Sequence, residues 1–279
     1  MKLLFTGRGS SGSWTIRGEQ IGAALGAKVV RMATVDVCRA ADVIVVVKRI
    51  PDELLKAIRA SGRPWVYDIV DAYPQPECST WGEGESKAWL KEHLARLRPD
   101  FVIWPNARMQ QDSVGGAVIY HHHRPEIKAN PIRDRIETVG YEGSASYIER
   151  WRSSIEAECR SRGARFVVNP ASLSDVDVVL ALRGKDRDGY PQRHWKSQVK
   201  LANAHGSGTP FIGAPEAGYV ETACGAEYWA TTPGDLSVAL DWMESKSTRQ
   251  EVSARFLKSA FSIDHAAERY RDVLCALKF

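Results

Sequence analysis

Six basic residues, Arg183, Lys185, Arg187, Arg193, Lys196 and Lys200, follow the apolar run VDVVLAL. A cation placed directly after a buried strand is costly unless an anion meets it, and a diphosphate carries the charge and the oxygens to do so. Arg183 and Lys200 are the best placed for that role; Lys185, Arg187 and Arg193 suit a solvated loop. A helix through WKSQVKLANAHG puts Lys196 and Lys200, four residues apart, on one face. Further on, GSGTPFIGAPEAGYVETACGAEY sets Glu216 and Glu221 among Gly and Ala. Glu221, in the first turn of a helix over VETACG, can accept hydrogen bonds from vicinal ribose hydroxyls. Glu216 sits where a sugar's hydroxyls could be held, and the small neighbours leave room for a ligand. Tyr219 and Gly143, the latter in the small-residue turn of VGYEGS, complete this set. Acids near a helix N-terminus are favoured by the dipole without any ligand; the upstream cations tip the reading towards one.

The first half of the chain carries a second group. GRGSSG (7–12) matches G-x-G-x-x-G between an apolar run and a helical pattern, and glycines there let backbone N–H groups approach a phosphate. A dinucleotide fingerprint also requires an acid at the end of the second strand. KVVRMA has none, although Arg31 could meet a 2′-phosphate. The alternative is a tight turn with no ligand. In WVYDIVDAYPQP, Asp68 and Asp71 close a strand, and either could act as a general base on a hydroxyl or cap the turn that follows; Asp71 lies further into the turn. Asn106, Arg108 and Gln110 follow FVIWP and line either an acceptor site or a solvated loop. His121, His122 and His123 lack the spacing of a metal site. They suit a loop between domains, with His121 the candidate to face a cleft, and no metal is expected.

Positioning these residues takes a particular architecture. Apolar β-branched runs alternate with helical patterns: KLLFT, KVVRM, VIVVVK, WVYDIV and FVIWP, with helices over 15–25, 51–61 and 86–97. Continuous apolar strands between helices imply a parallel sheet covered on both faces. The pattern restarts after the proline-bearing stretch 121–134 with RIETVGY, ARFVV, VDVVLAL, TPFIG and EYWAT. The reading is an α/β protein of two Rossmann-like parallel-sheet domains facing each other across a cleft. Residues 1–128 form the first domain, 135–248 the second, and helical 249–279 returns to the first. In such sheets ligands bind beyond the carboxyl ends of the strands, where the residues above fall.

The bulk properties agree. At 279 residues the chain suits two modest domains. A net charge of +4 suits anionic ligands without demonstrating nucleic-acid binding. Five cysteines, with no CxxC pair, argue against a disulfide frame or a structural zinc. No apolar run is long enough to span a membrane or serve as a signal peptide, so a cytoplasmic protein is expected.

With these residues assembled, the chain resembles the GT-B glycosyltransferases. The resemblance lies in KSQVKLANAHGSGTPFIGAPEAGYVETACGAEYW followed by TTPGDLSVAL, and covers about 165–243 well. It implies a nucleotide-diphosphate sugar donor, a UDP-sugar foremost, with no tightly bound cofactor. Arg183 and Lys200 would face the diphosphate and Glu221 the ribose, with Lys196 also at the donor. Glu216, Tyr219, Gly143 and Gly12 would lie around the donor, with Gly12 and Ser13 near the transferred sugar. Asp71 would be the base of an inverting reaction. The acceptor would sit on the first domain, near Trp14, Asn106, Arg108 and His121. The acids depart from the usual E-x7-E spacing, and the chain is short for the fold. Compact enzymes of this class glucosylate hydroxymethylated bases of phage DNA, and Trp14, Tyr73 and Trp81 would supply stacking surfaces for a flipped base in duplex DNA. The alternatives are an NAD(P)-dependent oxidoreductase using GRGSSG and a non-catalytic nucleotide-sugar or nucleic-acid binder.

Overall fold

The computed structural model describes residues 1–74, 77–184 and 188–277. Its first sheet holds β1 (Leu3–Gly7), β2 (Lys28–Arg31), β3 (Val43–Val47), β4 (Trp65–Asp68), β5 (Phe101–Trp104) and β6 (Ala117–Val118), all parallel, in the order β2-β1-β3-β4-β5-β6. Every residue of β3, VIVVV, is buried, as a central strand with both faces covered requires. The crossovers are α1 (Ile21–Ala24), α2 (Val35–Arg39), α3 (Asp52–Ser61), α4 (Glu83–Leu97) and α5 (Ala107–Gln111). In α3 Pro51 precedes two acids at the start, Leu54, Leu55 and Ile58 face the sheet, and Gly62 ends the helix at φ +67°. α1 continues a π-helix, Trp14–Gln20, and α2, α5 and β6 are too short to show a period in the sequence.

The second sheet is also parallel. It holds β7 (Thr138–Tyr141), β8 (Arg165–Val168), β9 (Val178–Ala181), β10 (Phe211–Gly213) and β11 (Tyr228–Trp229), ordered β11-β10-β9-β7-β8. Around it lie α6 (Glu149–Ser161), α8 (Val199–Ser207), α9 (Ala217–Thr222), α10 (Pro233–Met243) and α11 (Lys246–Lys258), with α12 (Ile263–Ala276) last, while α7 (Tyr190–His194) packs instead on α4 of the first half. Between β6 and β7 the chain runs without helix or strand. Two of the boundary differences from the sequence reading bear on the site. α8 begins at Val199, with Gln198 as its cap, so Lys196 lies outside the helix and does not share a face with Lys200. α9 begins after Glu216, so Glu221 stands near its end rather than in its first turn.

The C-terminal helix joins the halves. α11 stays on the second sheet's side against α8, while α12 crosses to α1. There Ala266, Ala267, Tyr270 and Leu274 are buried, Tyr270 against Phe5. The contact has a polar centre. Tyr270 donates its hydroxyl hydrogen to Asp68 Oδ2, and Arg17 Nη1 donates to the Tyr270 oxygen at 3.0 Å. Arg17 also approaches Asp68 at 3.8 Å and donates to the carbonyl of Ile119.

Candidate functional site

The strand ends of the first sheet converge on Asp71. Lys48 follows the last residue of β3 at φ +64°, and Val70, just before Asp71, is at φ +53°. A β-branched residue in the left-handed region costs of order 1–3 kcal/mol, a strain that persists where surrounding contacts fix it and that clusters at functional sites. Lys48 Nζ lies 2.6 Å from Asp71 Oδ1, and Lys196 Nζ, from the second half of the chain, donates to Asp71 Oδ2 at 3.0 Å. Lys48 also donates to Ser13 Oγ at 3.1 Å. Lys196 sits over the ring of Tyr73, 5.6 Å from its centre. Burial alone would raise the Asp71 carboxyl, but the ammonium groups of Lys196 and Lys48 outweigh it and hold the group far below the usual carboxylate range. Asp71 is therefore an ionised strut between two lysines and only a weak base.

At the end of the second sheet, Arg183 pairs through Nε and Nη2 with both carboxylate oxygens of Glu216, and its guanidinium lies over Tyr147, 5.4 Å from the ring centre. The half-buried Lys200 rests its ammonium 4.1 Å from the centre of the Tyr141 ring. Among the described residues it forms no ion pair. Burial, followed by repulsion from Arg183, brings its pKa down to about 7. A Cβ placed on Gly143 (φ +136°) would stand 3.4 Å from Lys200 Nζ, so the backbone of this turn comes close to the cation. Tyr219 is buried beneath, edge-on to Phe211 at 5.4 Å. It supports the turn rather than facing solvent.

Other expected residues are engaged elsewhere. Glu221 reaches across to α5: its carboxylate accepts from Ala107 N (2.7 Å), Arg108 N (2.9 Å) and the Tyr120 hydroxyl (3.2 Å). It caps that helix instead of standing free for a ribose. Asn106, fully buried, donates to the carbonyls of His194 and Lys196 and accepts from Met109 N. Arg108 donates to the Tyr190 hydroxyl at 2.6 Å, and Tyr190 and Trp195 both donate to Asp112. These residues tie the halves together. Asp68 is fully buried under Tyr270 and Arg17; burial raises its pKa, and Arg17 and Tyr270 only partly offset this. Tyr73 is 2% exposed against Trp195 and offers no face to a flipped base, while Trp14 is 2% exposed, with its Nε1 bonded to Glu19, and lines the cavity beside Ser10 and Ser11. Trp81 packs on Trp89. His121 is 1% exposed with neither ring nitrogen bonded, and burial pushes its pKa well down. Lys185 and Arg187 lie outside the described residues.

The glycine loop also differs from the dinucleotide pattern. Its third glycine should bring helix and strand into close packing, yet a Cβ on Gly12 would meet nothing. Arg31 is already paired with Glu19 at 2.8 Å. Among the described residues one group, His205, Cys224 and Glu227, has the proximity of a metal site. Glu227, however, accepts from His205 Nε2 (2.9 Å) and from the amides of Cys224, Gly225 and Ala226. Burial would raise its pKa, but these bonds bring it to about 2, and they occupy the oxygens a metal would need.

Lys48 is the central residue that the sequence reading passed over. Its signal was the one used for Arg183: a cation set directly after a fully apolar strand.

Two parallel Rossmann-like sheets, opposed at their strand ends and joined by a returning C-terminal helix, define the GT-B architecture. The chain matches three solved structures over nearly the full length of both partners. The lipopolysaccharide outer core galactosyltransferase WaaB in apo form has 11% identity and a TM-score of 0.58, with 99% of each chain covered. AviGT4, a glycosyltransferase involved in avilamycin A biosynthesis, has 11% identity and a TM-score of 0.57, again with 99% of each covered. UDP-GlcNAc 2-epimerase from Neisseria meningitidis, bound to UDP-GlcNAc, has 9% identity and a TM-score of 0.53, with 99% of this chain and 100% of that one covered. No protein-family model and no curated protein sequence matches the chain. Identity this low establishes the fold alone. Since transferases and an epimerase share it, the reaction has to be argued from the site.

Proposed function

We propose that the chain is a glycosyltransferase moving a sugar from a nucleotide-diphosphate sugar to an acceptor hydroxyl. The observation that carries this reading is Lys200, a half-buried cation at the strand ends of the second sheet that forms no ion pair among the described residues. Such a group is destabilising unless an anion arrives, and a sugar nucleotide's diphosphate is such an anion. Arg183 and Lys196 flank it, so charge developing on the departing diphosphate would be met by cations already in place. The small-residue turn at Gly143 lets the backbone approach the same group. Arg183 keeps its orientation through Glu216, which makes Glu216 a positioning residue. Glu221 holds the two halves together through α5.

Across the cleft, Ser13, Lys48 and Asp71 receive the transferred sugar and the acceptor hydroxyl. Asp71 fixes the two lysines; proton abstraction by it is disfavoured by their charge. UDP-sugars are the first donors to examine, and a hydroxymethylated DNA base is one acceptor to screen. The oxidoreductase reading is weakened by the open surroundings of Gly12 and by the Arg31–Glu19 pair. A thermal-shift panel of UDP-, GDP-, ADP- and CMP-sugars with NADPH as control tests the proposal, because ligands that bind the folded state stabilise it by mass action. Stabilisation by one nucleotide sugar, lost in Lys200→Met, is expected. Stabilisation by NADPH alone would overturn the reading. Epimerised sugar nucleotide formed without an acceptor would move the protein to the other reaction of its fold.

A further inference from the structure

A second cationic site lies on the first sheet's side. A cavity of about 300 Å³ opens between the loop after β1 and the loop after β3, and its walls include Arg8, Ser10, Ser11, Lys48 and Arg49. The sheet register explains why the cations meet there. Gly7 is paired with Val47, so the residues leaving the two strands emerge side by side, and Arg8 N donates to the carbonyl of Arg49 at 3.3 Å. Among the described residues no acid lines the cavity. Glu19, on the neighbouring π-helix, is committed to Arg31 and to Trp14 Nε1. Lys48 is matched by Asp71. Among the described residues neither Arg8 nor Arg49 has an ion-pair partner. Two unpaired guanidinium groups beside two serine hydroxyls form a receptor for a tetrahedral oxyanion, which Arg recognises through paired N–H donors. The volume is that of a small-ligand pocket and exceeds what a free inorganic anion fills. The cavity shares Lys48 with the Ser13–Asp71 cluster and belongs to the sheet opposite Lys200, so it is separate from the cations assigned to the donor.

We propose that this cavity holds the acceptor and that the acceptor carries a phosphate ester, gripped by Arg8 and Arg49, with its hydroxyl presented to Ser13 and Lys48. The proposal rests on the sugar-transfer reading and adds the acceptor's chemical class. The phosphate could belong to a small phosphomonoester or to the phosphodiester backbone of a nucleic acid.

Calorimetric titration of the full chain tests it with ribose 5-phosphate, ribose and a short single-stranded oligodeoxynucleotide as probes. Wild type, the Arg8→Gln/Arg49→Gln double variant and Lys200→Met are compared, with thermal melting to show that the exposed double substitution leaves the fold intact. Wild type should bind a phosphorylated probe and not ribose. The double variant should lose about a hundredfold in affinity, since each charge-assisted hydrogen bond lost costs about a factor of ten or more. Lys200→Met should bind the probe as wild type does. Tighter binding of the oligonucleotide, lost in the double variant, supports the inference and assigns the phosphodiester source; tighter binding of ribose 5-phosphate, lost likewise, supports it and assigns the monoester. Unchanged binding in the double variant, loss in Lys200→Met instead, or no binding of either phosphorylated probe at millimolar concentration would overturn it. Nucleotide-sugar binding measured on the same samples separates the two claims. Donor binding without phosphate-ester binding removes this inference alone, whereas the converse leaves a phosphate-ester site standing and removes the donor reading together with the acceptor role.

Discussion

Replacing Lys200 by Met should stabilise the protein and at the same time weaken its hold on the sugar nucleotide. The free protein keeps this ammonium half-buried against Tyr141 with its pKa brought from 10.5 to about 7 by burial and by Arg183. At about 1.4 kcal/mol per pH unit, that depression corresponds to at most about 5 kcal/mol of cost to the folded state. Water reaching a half-buried group lowers the figure to about 1–3 kcal/mol. The sign follows from proton binding: between pH 7 and 10.5 the unfolded chain holds more protons than the folded one, so the cost is fully present below about 7 and disappears as pH rises towards 10.5. Methionine keeps the length and apolar stem without the charge. Urea denaturation at pH 6.5 should therefore show Lys200→Met more stable by about 1–3 kcal/mol, and the advantage should shrink at pH 9.5. Donor affinity should move the other way, falling by about tenfold or more through loss of a charge-assisted bond to phosphate. In wild type, donor binding should take up a proton above pH 7 and weaken as pH rises, measurable as a buffer-dependent heat. A variant that is destabilised, or that binds the nucleotide sugar as wild type does, would show that Lys200 is a packing residue and would remove the main support for the donor site.

Asp71→Asn should cost about 2–4 kcal/mol by leaving Lys48 and Lys196 facing each other without their shared carboxylate. Because the Asp71 pKa is depressed, its contribution is present above about pH 4, where the unfolded residue ionises, and is lost in more acidic solution; denaturation midpoints of the two proteins should keep a constant separation from pH 8 to 5, and convergence in that range would refute the assignment. Glu221→Ala should open the molecule, seen as a larger radius of gyration in solution scattering, while leaving nucleotide-sugar affinity little changed; abolished donor binding in a compact protein would restore Glu221 to the ribose. Tyr270→Phe should lower stability by about 1.5–3 kcal/mol through loss of a fully buried bond to the Asp68 carboxylate, and an unaltered melting curve would show that α12 is held by its apolar contacts alone.

The architecture was legible because its signals are local. VIVVV between helical patterns reads as a central parallel strand from five residues alone, and the restart after residue 134 marks a second sheet of the same kind. The rule that ligands sit beyond strand ends then pointed to Asp71, Arg183 and Lys200. What each of these residues touches was not legible. Lys196 reads as one face of a helix with Lys200, yet the helix starts three residues later and Lys196 turns to Asp71, 125 positions away in the chain. Asp68 and Asp71 look equivalent in WVYDIVDAY; α12, placed by packing near the C-terminus, seals one under Tyr270 and leaves the other between lysines. Glu221 has the surroundings of a ribose ligand, and only the approach of α5 shows its oxygens already filled. Sequence by itself determined which segments become strands and helices, since hydrophobic period and turn chemistry act over a few residues. The tertiary structure decided which charges are paired and which stand alone, because burial and Coulomb interaction depend on distances between segments far apart in the chain.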